Sequence, residues 1–284
     1  MKKLLLICLF LALSFPSVNG ADIEFAAGIF SSSPEFSPDG TKIVFESNRN
    51  RTYHIWVRDS KGTKMQELSK LAWDMEPAWS PDGKMIAFAS YGKSKLPEGH
   101  FAIWLMNADG TNPHQLIEPD KEGDQYPFWS PDGKRIVWSH GKQLWIMDNN
   151  GENAHPLTTK PAGAFECCGD WSPDGKLIAY VAREDYSGDQ YKIWLIEPDG
   201  KGQRLFSTGI EAHRVKWSRD GKYLYYDSCP GIMKIDIQAK ESTKKILDLQ
   251  NDCVHFDISP DEKWIVYDDS GIDGSGKLYI KPLK

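Results

Sequence analysis

Ser-Pro-Asp-Gly occurs four times in this chain, at Ser37, Ser80, Ser130 and Ser172, and two worn copies follow at Ser218 and Ser259. Recurrence every 40 to 50 residues marks a repeat architecture. The tetrapeptide is also a turn with a mechanism. Pro pre-sets φ at the second turn position, Asp tolerates the third, and Gly takes the left-handed conformation that closes a hairpin. Each copy therefore predicts two antiparallel strands joined at its serine.

The flanking residues bear this out. A short strand runs into each turn, as in Pro77-Ala78-Trp79-Ser80. A second follows at once (Ile86-Ala87-Phe88), then a third after a variable loop (Ile103-Trp104-Leu105). A second turn, Asn107-Ala108-Asp109-Gly110, leads to a weaker fourth strand. Short β-branched and aromatic runs bounded by turn residues read as strands, and no segment carries a helical period. Six such four-stranded units predict an all-β, six-bladed propeller in which each blade covers its neighbour. The tryptophans before the turn serines (Trp79, Trp129, Trp171, Trp217) and in the third strands (Trp56, Trp104, Trp145, Trp194) are expected to pack between blades.

The last repeat stops after its third strand, while residues 21–30 alternate as a strand without a repeat of their own. Pairing the two closes the ring and removes both free edges. Ahead of that strand, Met1-Lys2-Lys3, an apolar run from Leu4 to Leu13 and small residues up to Gly20 have the pattern of a secretory signal. The expected organisation is a signal peptide over 1–20 and one propeller over 21–284. The expected location is periplasmic or secreted, with no membrane insertion after the signal is removed.

Formal charge is −6, and loss of Lys2 and Lys3 makes it about −8. This disfavours a nucleic-acid partner. Export permits disulfides among Cys167, Cys168, Cys229 and Cys253. The loops carrying Cys229 and Cys253 are neighbours in such a ring, so a Cys229–Cys253 bridge is expected. Cys167 and Cys168 are left as a free pair or a vicinal disulfide. No tight ligand spacing points to a metal, and no cofactor is expected.

The repeat form Pro-x-Trp-Ser-Pro-Asp-Gly-Lys-x-Ile-Ala-Phe, then Ile-Trp, then Asp-Gly, resembles the WD-like repeats of the TolB-type β-propellers from about Ser33 onward. The resemblance implies a monomeric propeller of the cell envelope that holds a partner protein or peptide at one mouth of its channel. Only a signal and one strand precede the first repeat, so the α/β domain that accompanies such propellers is expected to be missing. Related propellers include pectin-fragment lyases, which makes a metal-assisted lyase or hydrolase the alternative.

The loops leading into successive first strands carry polar residues in register. These are Asp74 and Glu76, Asp124 and Tyr126, Glu166, then Glu211, His213 and Arg214, then Asp252 and His255. They are the candidate binding residues, at a mouth opposite the Ser-Pro-Asp-Gly hairpins. Catalytic residues are not assigned. Replacement of Asp124 is expected to affect binding and leave stability alone.

Overall fold

The computed structural model describes residues 23–26, 30–92, 100–118, 120–158, 165–183, 191–206, 212–228, 231–239, 243–249, 255–270 and 276–283. The signal segment, Glu211, Cys229, Asp252 and Cys253 lie outside them, so the Cys229–Cys253 bridge does too.

Among the described residues every element is a strand, and the strands form six antiparallel sheets of four. After β1 (Ile23–Ala26), the first blade comprises β2 (Ser31–Phe36), β3 (Lys42–Ser47), β4 (His54–Asp59) and β5 (Met65–Glu67). The second has β6 (Asp74–Trp79), β7 (Met85–Ser90), β8 (Ala102–Asn107) and β9 (His114–Gln115). The third has β10 (Asp124–Trp129), β11 (Arg135–His140), β12 (Gln143–Asp148) and β13 (His155–Pro156). The fourth has β14 (Phe165–Trp171), β15 (Ile178–Arg183), β16 (Lys192–Ile196) and β17 (Arg204–Leu205). The fifth has β18 (Val215–Trp217), β19 (Tyr223–Asp227), β20 (Gly231–Asp236) and β21 (Thr243–Asp248). The sixth has β22 (Phe256–Ile258), β23 (Trp264–Ser270) and β24 (Gly276–Pro282), and β1 supplies its fourth strand. Ile23 pairs with Ile280 and Ala26 with Leu278. The ring closes as the sequence implied.

The core lies in the seams. Val44, Ile55 and Val57 of blade one pack with Trp79, Ile86 and Phe88 of blade two. Ala179, Val181 and Ile193 of blade four pack with Val215, Trp217 and Leu224 of blade five. A sheet alone leaves one face wet, whereas a ring of sheets buries both.

All six turns share one lock. The serine Oγ donates to the aspartate two residues on, at 2.6–2.8 Å, and accepts the N–H five residues on, at 2.9 Å. Ser and Asp persist in both worn copies, one of which loses Pro and the other Gly. The two departures answer each other. Arg219 stands where the other turns have Pro, and its extra N–H donates to Glu262 Oε1 at 2.6 Å. Glu262 stands where the others have Gly, at φ +53°.

A candidate binding channel built from the first strands

The first strands surround the axis. A strand alternates faces with period two, yet the first strands of blades one to four break that period. Register slips between Ser32 and Glu35, Met75 and Ala78, Gln125 and Phe128, and Cys167 and Asp170. In each bulge the residue four before the turn serine has positive φ: Ser33, Glu76, Tyr126 and Cys168, at 51–55°. A bulge re-aims a side chain, and a non-glycine residue held there stores on the order of 1 kcal/mol of strain. Pro34, Pro77 and Pro127 follow three of them, where a missing N–H costs the ladder nothing.

Blades five and six have no such slip among their paired residues. There Asp227 accepts the N–H groups of His213 and Arg214 at 2.9 and 2.6 Å, and Asp268 accepts that of His255 at 2.9 Å. A basic residue just ahead of the first strand thus faces an acid near the end of the second.

The six equivalent residues, Ser33, Glu76, Tyr126, Cys168, Arg214 and His255, all line one axial cavity of about 60 Å³. Carboxylates stitch the seams around it. Glu46 Oε2 accepts the Glu76 N–H at 2.7 Å, and Glu76 Oε2 accepts the Tyr126 N–H at 2.6 Å. Burial, joined at Glu46 by the charge of neighbouring Glu76, pushes both carboxyls up to about 7. Arg214 lies over the Tyr126 ring at 5.4 Å. Burial opposes its charge, but Cys168, Tyr126 and Glu76 outweigh it and keep the guanidinium protonated.

Two residues nearer the turns, a second tier follows. Lys216 Nζ lies 3.3 Å from Glu35 and 3.6 Å from Asp257. Glu35 accepts the Trp79 N–H, Asp170 that of Trp217 and Asp257 that of Phe36, each at 2.8 Å across a seam. Burial raises Glu35 to about 7 and Asp170 to about 6, against the pull of Lys216.

The structure divides the residues expected at the mouth. Glu76, Tyr126, Arg214 and His255 line the channel. Asp74 and Asp124 turn into their own blades and Glu166 turns across the seam to blade three, and all three are at most 1% exposed. Asp74 accepts from Ser90 Oγ at 2.5 Å, Asp124 from Trp138 Nε1 at 2.6 Å, and Glu166 from the Leu144 N–H at 3.2 Å. The bulge explains the division, because Asp74 and Glu76 would share a face in a regular strand. His213 sits at the rim, its ring 5.3 Å from that of Tyr191.

Ser33, Glu35 and Lys216 also line the cavity and were not picked out from sequence, and Cys168, read there only as half of a free pair or vicinal disulfide, lines it too. Counting four and two residues back from each turn serine finds them. A further feature of the mouth face is a run of aromatic contacts, Phe30–Tyr53–Trp73–Tyr91–Phe101, with centroids 4.1–6.2 Å apart. Trp73 within it is 51% exposed.

His255 Nδ1 lies 2.6 Å from Asp268 Oδ2 and 2.9 Å from Ser32 Oγ. A Ser-His-Asp relay needs the acid and the serine on different ring nitrogens. Here both meet Nδ1 and Ser32 is buried, so the cluster orients the imidazole.

A solved TolB from Acinetobacter baumannii superposes with a TM-score of 0.66 at 20% identity, over 80% of this chain and 56% of that one. A putative TolB from Agrobacterium tumefaciens gives 0.66 at 17% identity, over 91% and 92%. The fold is that of the TolB-type β-propeller. An oligogalacturonate lyase in complex with manganese matches with a TM-score of 0.63 at 12% identity, over 95% of both chains. Among curated proteins, a TolB homolog from Chlorobium chlorochromatii is 38% identical over 167 residues, 58% of this chain and 35% of that protein. The uncharacterized peptidase YuxL of Bacillus subtilis is 24% identical over 243 residues, 82% of this chain and 28% of that protein. The chain spans from 28% to 53% of the length of the curated relatives it matches. No family model matches it. Among the described residues no three His, Cys, Asp or Glu side chains converge on one point, and the channel carboxylates already accept backbone N–H groups.

Proposed function

We propose that this chain is an exported, TolB-like binding module of the cell envelope that takes a protein or peptide segment at the mouth of its channel. The observation that carries the reading is the wall itself. All six blades contribute a side chain from their first strand or the residue just ahead of it, and they supply a guanidinium, a phenol, an imidazole, a thiol and a carboxyl to one pre-formed concavity. A throat of this volume has room for a few waters or one side chain, which suits the end of a polypeptide. The aromatic run centred on exposed Trp73 adds a rim of the kind that anchors protein partners. Crosslinking from the native envelope, with a photoreactive group at position 73 or 214, is expected to enrich one protein. Recovery of no partner from either position would overturn the reading.

The second reading is a metal-assisted carbohydrate lyase or hydrolase. What supports it is the similarity to the manganese-bound lyase along nearly the whole length of both chains. One equivalent of metal after purification, with unsaturated product formed from oligogalacturonate, would favour it.

A further inference from the structure

Cys167 and Cys168 are adjacent, free and placed in the bulge of β14. Their surroundings differ. Cys167 is buried at 4% exposure, whereas Cys168 is half-buried and lines the axial cavity. The Cys167 thiol donates to Cys168, and this bond, then burial, holds Cys167 well above the usual thiol range. Burial works against a Cys168 thiolate. The bond from Cys167 and the Arg214 charge outweigh it and bring Cys168 below the ordinary value. The thiolate is the nucleophile in exchange. One sulfur is thus poised to attack from the channel, with a resolving thiol in hydrogen-bond contact behind it.

We propose that Cys167 and Cys168 are a redox-active dithiol in the channel wall that exchanges with small disulfides. Cys168 sulfur attacks one sulfur of the incoming disulfide, forming a mixed disulfide and releasing the first thiol. Cys167 loses its proton to solvent and attacks Cys168 sulfur, which releases the second thiol and closes the vicinal bond. The two cysteines give up two electrons, and the small disulfide is reduced to two thiols. Adjacent Cα atoms are ~3.8 Å apart, shorter than the usual disulfide span of about 4.4–6.8 Å, so the closed form is strained and readily reduced.

Closure takes the Cys168 thiol away from Arg214, leaving the guanidinium to Glu76 and Tyr126. The redox state would then change the wall met by a bound segment, a consequence that rests on the binding function proposed above. The bond chemistry itself does not depend on it.

The test uses the full chain, reduced and then exposed to oxidised glutathione, alkylated, denatured and cut with trypsin. Residues 143–176 form one tryptic peptide, since Lys160 precedes Pro161, and it holds Cys167 and Cys168 as its sole cysteines. That peptide is expected to lose two hydrogens and take no alkyl group, and dithiothreitol should restore two alkylations. Cys167→Ser should stall with one glutathione on Cys168. Cys168→Ser should react at least ~10-fold more slowly. Two alkylatable thiols after oxidation would overturn the proposal, as would a cross-link to the peptide of Cys229 or Cys253 or equal rates for the two variants. If a variant does not fold, the order of labelling in the unaltered chain decides, with Cys168 required to react first. This readout involves no bound partner, so its failure is distinct from failure of the binding reading.

Discussion

Glu76 accepts the backbone N–H of Tyr126 at 2.6 Å across the seam between blades two and three. One carboxyl therefore joins two blades and lines the channel at once. Glu76→Ala should cost about 1–3 kcal/mol in urea unfolding, because it strands a buried donor. Glu76→Gln keeps an acceptor and should lie within ~1 kcal/mol of the parent chain. Equal losses for both would assign the effect to charge and not to the seam.

Stability should fall between pH 5 and pH 8. Glu35, Glu46 and Glu76 are raised to about 7 and Asp170 to about 6, chiefly by burial. Groups raised in the folded state support it fully below their ordinary values, and the support fades as pH rises through the raised ones. The turn aspartates act oppositely. Hydrogen bonds from Ser80 and Ser130 hold Asp82 and Asp132 below their ordinary value, so their support is present above it and lost in stronger acid. The expected Tm optimum is near pH 5, on the order of several degrees above that at pH 8. A Tm that is flat or rising across that interval would contradict the assignment.

Arg219 and Glu262 should be energetically coupled. Glu262→Gly alone relieves a left-handed φ but removes the acceptor of the Arg219 N–H, and these terms nearly cancel. In an Arg219→Pro background no N–H remains to strand. There the same change should stabilise by about 1 kcal/mol more than it does in the parent. A double-mutant cycle by urea denaturation measures the difference.

The two turns of a blade should respond differently to a methyl group. A Cβ at Gly133 meets nothing closer than Pro81 at 3.8 Å, while one at Gly151 meets the Leu116 carbonyl oxygen at 2.4 Å. Both positions have positive φ. Gly133→Ala should cost about 1–2 kcal/mol from backbone strain alone, and Gly151→Ala clearly more. Parallel thermal melts decide it.

Sequence reasoning reached the blades because period and turn chemistry are local. It reached the ring closure because a spare strand and a missing strand are visible together. It misassigned Asp124, which is 1% exposed and bound by Trp138 and His140. Asp124→Ala is therefore expected to cost about 1–3 kcal/mol, not to leave stability alone. The cause is the bulge, which inverts facing at Tyr126 without any change in residue spacing. Glu35 and Lys216 were missed for a related reason. Their pairing joins blades one and five, 181 residues apart in the chain, and nothing local announces it.

Because β1 completes the sheet of β22, β23 and β24, the propeller behaves as a loop fastened by a single clasp. Until residues 276–282 are available, the strand at 23–26 has no place to dock. Moving the break should therefore be possible. A circularly permuted chain, joined through the present clasp and opened between two other blades, would acquire its sixth sheet as a contiguous unit. The cost of fastening would shift to the new gap.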